Sequence, residues 1–285
     1  MLNYNEITIV IVSYKSKKKI FNFLNNIKIN FKIIIIENSS DQSIKNDLIK
    51  FSENVEILFT GNIGYGNSAN YARERINTKY FFLLNPDLIG IDNKVIEFFL
   101  NQANKMKDNF SCLGPRYTNI DKKTLKQSNI NSDIGYVKAI SGAAMFFNTK
   151  NFDLIGGFDK NIFLYFEEND YCKRGRKLKL YSYQLNSVGI SHDIGTAVEY
   201  DNIDEKNQIK KLCSWHFIWS KYYFYNKHYG KLLSIFYFLP IIARSYIKIL
   251  FSKLIKNSVN EDKYKNRLEA IFASIRGEKS YKRIN

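Results

Sequence analysis

The chain has 285 residues, 45% apolar and 25% charged, which excludes a disordered polymer and allows one large domain or a domain with an appendage. Lys and Arg number 43 against 27 Asp and Glu, a formal net charge of +16 at pH 7. That balance favours polyanionic partners such as nucleic acid, anionic lipid or phosphorylated small molecules, although no zinc-finger or RNA-recognition pattern is present.

The first sixteen residues, MLNYNEITIVIVSYKS, lack the charged-then-apolar order of a secretory signal, and the start is expected to fold inside the cell. Cys112, Cys172 and Cys213 are odd in number and widely spaced, so they read as free thiols of a reducing cytosol. The run at 7–14 predicts a buried strand, followed by a Lys-rich amphipathic stretch to about Ile29. Further strands are expected at 32–40, 55–59 and 80–87. Continuous apolar strands alternating with helices imply an α/β fold whose mainly parallel sheet is covered on both faces.

In such a sheet, ligands collect at the carboxyl ends of the strands. Those ends carry Ser13 and Tyr14, Glu37 and Asn38, the loop at 61–66 with Gly64 and Gly66, and Asn85-Pro86-Asp87. From residue 137 the texture changes: a strand with small residues at its centre, including Gly142 and Ala143, a loop through GGFDKNIF, and a helix over 167–178. Two short strands are then expected in LYSYQLNSVGISHD, and helices alone beyond about 205.

Four places carry candidate chemistry. Asp87 follows a strand and a proline that stops the ladder, where a carboxylate could hold a Mg²⁺ bound to a diphosphate; a turn aspartate reads the same way. Gly64 and Gly66 precede a helix expected from Asn67, an anion contact or a plain tight turn. Glu167, Glu168 and Asp170 open the later helix. Glu167 and Asp170 share a face while Glu168 lies about 100° away, so the three cannot do one job. One is expected to pair with nearby basic residues and another to face a cleft, while Phe158 and the aromatic run 163–166 pack the loop on the sheet. His192, at a strand end beside an acid, is a metal or phosphate ligand or a structural histidine.

Taken in order, TIVIVSYKS, IIIIENSSDQS, NIGYGNSAN, FFLLNPD, SGAAMFFNTKNFDLIGGFDKNIFLYFEENDYCKRGRK and SHDIGTA resemble glycosyltransferase family 2, in its rhamnosyltransferase-like branch. These stretches cover about residues 7 to 197. The resemblance implies a GT-A fold, a nucleotide-sugar donor linked to dTDP or UDP, a divalent cation (Mg²⁺ or Mn²⁺) and transfer with inversion. It places the metal motif on Asn85-Pro86-Asp87, with Asn where many members carry a first Asp. Asp87 would then hold the cation with the donor diphosphate, water and His192. The base motif falls on Glu167-Glu168, with Glu168 as base. Ser13, Tyr14, Glu37 and Asn38 match residues near the donor's base and ribose. Gly64 and Asn70 fall within the matching glycine loop, and Gly142 and Ala143 match the strand beneath the donor sugar.

The domains implied are a catalytic domain over 1–205 and a helical region over 206–285. The segment 232–251 has nearly the length of a membrane span but is interrupted by Pro240, Arg244 and Lys248. An interfacial helix on an anionic membrane is favoured, with packing on the catalytic domain the alternative. The expected protein is a transferase that extends a bacterial surface glycan or lipid-linked oligosaccharide from the cytoplasmic face, with dTDP-rhamnose or a UDP-hexose as donor and a homodimer left open. A basic nucleic-acid-binding protein and an idle scaffold member are the competing readings, and no nucleic-acid partner is expected.

Overall fold

A computed structural model describes residues 4–27, 31–39, 41–49, 52–121, 125–129 and 131–283. The expected element ends at Ile29 and Ser40 lie outside the described residues. The chain forms two compact units, Met1–Asp159 with Glu167–Glu199, and Lys160–Phe166 with Tyr200–Asn285.

The first unit begins with β1 (Ile7–Ser13), α1 (Lys17–Asn26), β2 (Lys32–Glu37), α2 (Ser43–Ile49), β3 (Val55–Phe59), α3 (Tyr65–Arg73) and β4 (Tyr80–Leu84). Then come β5 (Leu88–Ile89), α4 (Asn93–Lys105), β6 (Cys112–Tyr117), β7 (Ile134–Val137), β8 (Ala144–Asn148), α5 (Thr149–Ile155), α6 (Glu167–Lys177) and β9 (Ser182–His192). The strands form one sheet in the order β3-β2-β1-β4-β8-β6-β9-β5, with β7 also on β9. β1, β2, β3 and β4 run parallel, and β8 enters antiparallel to β4. The sheet is thus mixed and mainly parallel on its amino-terminal side.

Strand periodicity explains the continuous apolar runs. Ile7, Ile9 and Ile11 face one core, where Phe23, Leu24 and Phe99 of the helices meet them. Val10 and Val12 face the other, with Ala69, Phe152 and Tyr171. Successive side chains point to opposite faces, so a strand covered on both sides must be apolar at every position.

Two expectations about strands need correction. The segment 180–193 was expected to give two strands and instead gives one eleven-residue strand, β9. Its pairing with β6 jumps from Pro115↔Leu185 to Arg116↔Gly189, so Asn186, Ser187 and Val188 bulge out of the ladder. That bulge, polar at Asn186 and Ser187, mimics a break. The stretch at 80–87 ends as a strand at Leu84, because the chain turns through Pro86 and Asp87 into β5.

The second unit contains α7 (Ile203–Tyr229), α8 (Lys231–Leu254) and α9 (Ser258–Ile275) around Trp215, Trp219, Tyr222, Phe238 and Ile271. Asn202 caps α7 by accepting from Glu205 N at 2.8 Å, and Glu205 in turn accepts from Asp201 N at 2.7 Å, close to a capping box. Gly230, at φ +87°, turns the chain between α7 and α8. Buried His216 is held between Ser280 Oγ and the Lys282 carbonyl at 2.8 and 2.9 Å, and burial pushes its pKa down to about 4.

The aromatic run 163–166 does not pack on the sheet as expected. Phe163 lies on His216 with ring centres 4.5 Å apart, and Phe166 meets Phe217 and Phe224 at 5.5 and 5.6 Å. The Leu164 carbonyl accepts from Ser220 Oγ at 2.9 Å. These rings find aromatic partners along one face of α7, leaving Phe158 to fill the sheet-side core. Tyr165 and Phe166 both adopt left-handed backbone, φ +67° and +71°, immediately before α6. Bulky side chains rarely take that conformation, which costs about 1–3 kcal/mol at each position.

Candidate active site

Two of the expected donor contacts are tied to each other. Ser13 Oγ donates to Glu37 Oε2 at 2.5 Å, and the backbone N–H groups of Ser39 and Lys15 donate to Glu37 Oε1 at 2.7 and 3.2 Å. Glu37 thereby locks the ends of β1 and β2 together, and both of its oxygens are engaged. The Asn38 side-chain amide lies within hydrogen-bond distance of Thr60 Oγ1 at 3.0 Å and Ser68 Oγ at 2.9 Å, which tie it to the strand end and helix that follow. Tyr14 follows β1, where its carbonyl accepts from Ser16 Oγ at 3.1 Å.

The glycine loop serves close packing. Gly64 precedes α3 at φ +92°, and its carbonyl accepts from the Ser68 backbone N–H and hydroxyl at 3.0 and 2.7 Å. A Cβ on Gly66 would lie 3.0 Å from Phe158 Cβ and 3.3 Å from Glu167 Cβ, so only glycine lets α3 approach the acid helix this closely. Asn70 holds the Phe158 backbone, donating to its carbonyl and accepting from its N–H, both at 2.9 Å. Its side chain thereby clamps that loop to α3.

At the end of β4, the Asn85 backbone N–H donates to the Ala143 carbonyl at 2.8 Å, while its side-chain Oδ1 is buried without a hydrogen-bond partner. Asp87 is buried as well. Its Oδ1 accepts no aligned hydrogen bond and lies 3.2 Å from His192 Nε2. The antiparallel register Leu88↔His192 brings the two together, reinforced by Asp193 N donating to the Asp87 carbonyl at 3.2 Å. Buried polar atoms without partners are rare and costly, so two on one strand end mark a place built for a further group.

Among the described residues, no three His, Cys, Asp or Glu side chains are grouped to hold a metal. The donor set fits a cation that takes one carboxylate and one imidazole from the protein and its remaining ligands from phosphate oxygens and water.

The three acids of α6 take separate roles. Asp170, wholly buried, accepts from Arg174 Nε at 2.8 Å; Arg174 also donates to the Gly157 carbonyl at 2.5 Å and to the Ile155 carbonyl. This pair fastens α6 to the loop after α5. Glu167 is buried and its Oε2 has no hydrogen-bond partner. Burial and the adjacent Glu168 charge push its pKa well above the usual carboxylate range. Glu168 is half-buried, accepts from Asn169 Nδ2 at 2.7 Å, and is lifted by burial to about 7. The helix amino end favours charge on both, but burial outweighs it. The two titrate as a pair that retains a proton near neutrality.

Tyr65, which the sequence reading passed over, joins these groups. Its hydroxyl donates to the Gly142 carbonyl at 2.6 Å, just before β8. Burial raises its pKa well above the ordinary value, and the charges of Glu167, Glu168 and Asp87 add to the rise. The acid pair and the strand-end aspartate therefore all act electrostatically on one phenol. Tyr117, also missed, is buried with its ring 6.1 Å from that of His192, and its phenol is raised by burial and by Asp87. The only sequence signals were a tyrosine inside the glycine loop and another closing a strand.

Cavities flank the Asp87–His192 pair. One of about 400 Å³ is bordered by Lys19, Asn22, Asn26 and Asp87, and another of about 380 Å³ by Asn119, Asp121, His192 and Thr196. The loop after β9 returns over the first strand end, where Glu199 N donates to the Lys15 carbonyl at 2.7 Å and Glu199 Oε1 accepts from Lys18 N at 2.6 Å.

No family model matches the sequence. The chain is 24% identical over 215 residues to a low-salt glycan biosynthesis hexosyltransferase of Haloferax volcanii, covering 66% of this chain and 67% of the relative. It is 24% identical over 269 residues to rhamnosyltransferase WbbL of Escherichia coli K12, covering 80% and 98%. In structure it is similar to a mannosyltransferase of Pyrobaculum calidifontis solved with GDP-Man and Mn²⁺, with a TM-score of 0.60 and 9% identity over 95% of this chain and 87% of that one. It is also similar to S. aureus TarS 1–349 solved with UDP-GlcNAc, with a TM-score of 0.51 and 12% identity over 98% and 94%. The chain is thus glycosyltransferase family 2-like, distantly homologous to the first two proteins, with the GT-A fold and C-terminal helices α7, α8 and α9.

Proposed function

We propose that this family 2-like chain is an inverting glycosyltransferase that moves a hexose from a nucleoside-diphosphate donor to a hydroxyl of a bacterial surface glycan or lipid-linked oligosaccharide at the cytoplasmic face. The observation that carries the reading is the strand-end pair of Asp87 and His192, 3.2 Å apart with Asp87 Oδ1 buried and unpartnered, in a chain whose α6 opens on the half-buried Glu168. The supporting relatives carry names of hexosyl and rhamnosyl transfer, so a rhamnosyl donor is the first candidate and a UDP-hexose the second.

In this mechanism Glu168 removes the acceptor hydroxyl proton as that oxygen attacks the anomeric carbon and the bond to the donor phosphate breaks. A carboxyl tuned to about 7 is ionised in useful fraction yet basic enough to take a proton in the transition state. One base and a single displacement account for inversion. Glu167, held protonated by burial, donates to or orients the sugar. Asn38 and the β1 end meet the nucleoside, and the Gly142–Ala143 backbone runs beneath the sugar. Asp87 and His192 would hold a divalent cation, which when bound offsets charge on the departing diphosphate.

A thermal-shift screen of nucleoside diphosphates and their sugars, with and without Mn²⁺, tests the reading. Stabilisation by one nucleotide class only when the metal is present is expected. Indifference to every nucleotide and sugar donor, alongside salt-sensitive oligonucleotide binding, would overturn it.

A further inference from the structure

Helix α8 is built inside out for a helix in water. Its inward face carries Ser234, Ser245 and Ser252 beside Phe238 and Ile249, all buried. Two of those hydroxyls are satisfied within the helix, Ser234 by the Gly230 carbonyl at 2.8 Å and Ser245 by the Ile241 carbonyl at 2.7 Å. The large side chains point outward: Leu232, Phe236, Leu250 and Leu254 are 74%, 68%, 63% and 82% exposed. At about 100° per residue these four fall within a band about 40° wide that runs the length of the helix. No acid occurs anywhere in α8; Arg244 and Lys253 flank the band about 100° and 80° from its centre on opposite sides, and Lys248 lies further round at about 140°.

From this pattern we infer that the outward face of α8 lies in the interface of an anionic bilayer, with the helix axis parallel to the membrane plane. Apolar residues would enter the acyl boundary and flanking cations would meet lipid phosphates, the arrangement of an interfacial helix.

The helix is long and apolar enough to cross a membrane, but its inner face excludes that orientation. Phe238 packs on Tyr222 of α7 with ring centres 5.1 Å apart, and Tyr237 stacks on Tyr225 at 4.4 Å. α9, which shares this core, carries Glu261, Asp262, Arg267 and Glu269, and spanning would drag such charges into hydrocarbon. A second copy is the other possible cover. Self-pairing of α8 would set its cations against one another with no acid on the helix to neutralise them, whereas lipid phosphates complement them. The inference does not depend on the catalytic reading.

The test is flotation of the full chain with vesicles of phosphatidylcholine alone or mixed with phosphatidylglycerol. The wild type is expected to float with the anionic vesicles and to be released as salt rises. The triple variant Phe236→Ser/Leu250→Ser/Leu254→Ser should lose at least tenfold in bound fraction while keeping its circular dichroism. Lys253→Glu should weaken binding at low salt only. Single probes Phe236→Trp and Leu250→Trp should be quenched by bromolipids at one shallow depth. Failure of the folded wild type to float, retention of binding by the triple variant, probes at different depths, or a wild-type dimer that the triple variant dissolves would each overturn the inference.

Discussion

The sheet unit and the helical unit break opposite rules. In the first, Asn85 Oδ1, Asp87 Oδ1 and Glu167 Oε2 are polar atoms sealed from water without hydrogen bonds. In the second, Leu232, Phe236 and Leu254 are large apolar side chains left in the open. Each departure costs folding free energy, of desolvation in one case and of lost burial in the other. The contrast shows how a missing interaction is recognised: the polar defect calls for charge and phosphate, the apolar one for a nonaqueous surface.

The sharpest way to break the polar half is Asp87→Ala. Transfer should fall by about 10³-fold or more, because the cation's charge stabilisation is worth several kcal/mol. Metal-dependent thermal stabilisation by nucleoside diphosphate should vanish with it. Glu168→Gln should lower kcat by about 10²-fold or more while donor-induced stabilisation persists; a variant of near-full activity would remove Glu168 from the mechanism.

The pH dependence sharpens that assignment. Glu168 rises from the ordinary 4.5 to about 7, so the folded chain binds its proton more tightly than the unfolded chain. Its contribution to stability is therefore greatest below about 4.5 and declines as pH rises through 7. Transfer should rise across the same interval as the base ionises, and Glu168→Gln should flatten the stability slope measured by denaturant titration.

Smaller effects follow from packing. Gly66→Ala must push Phe158 or Glu167 aside, costing about 1–3 kcal/mol and displacing the acid pair, readable as a lower Tm with lower kcat. Tyr65→Phe removes one hydrogen bond to Gly142, worth about 1 kcal/mol, and should leave the fold intact.

Much of the frame was legible in the chain because β1, β2 and β4 are short apolar runs whose residues face covered layers on both sides, and the edge strand β3 is a β-branched and apolar run of similar length. β5 was not, since two residues carry no periodicity, and β6 was obscured by Gly114 and Pro115 within CLGPRY. The acids of α6 could be recognised as unable to act together from helical spacing alone. That Asp170 is the one taken up by Arg174 depends on the carbonyls of Ile155 and Gly157, which also receive that guanidinium. That Asn70 and Glu37 also hold the fold together, through backbone groups of Phe158, Ser39 and Lys15, could not be seen in the sequence because folding brings those groups near. Tyr65 and Tyr117 escaped notice because their partners, Gly142 and His192, lie more than seventy positions away in the chain.

The left-handed pair Tyr165 and Phe166 sits one bond before the first glutamate of α6. Its unfavourable torsions persist because Phe166 is gripped by Phe217 and Phe224 of α7. Phe217→Ala/Phe224→Ala would take away that grip and leave the strain uncompensated, so the double variant should unfold at a lower Tm than the wild type.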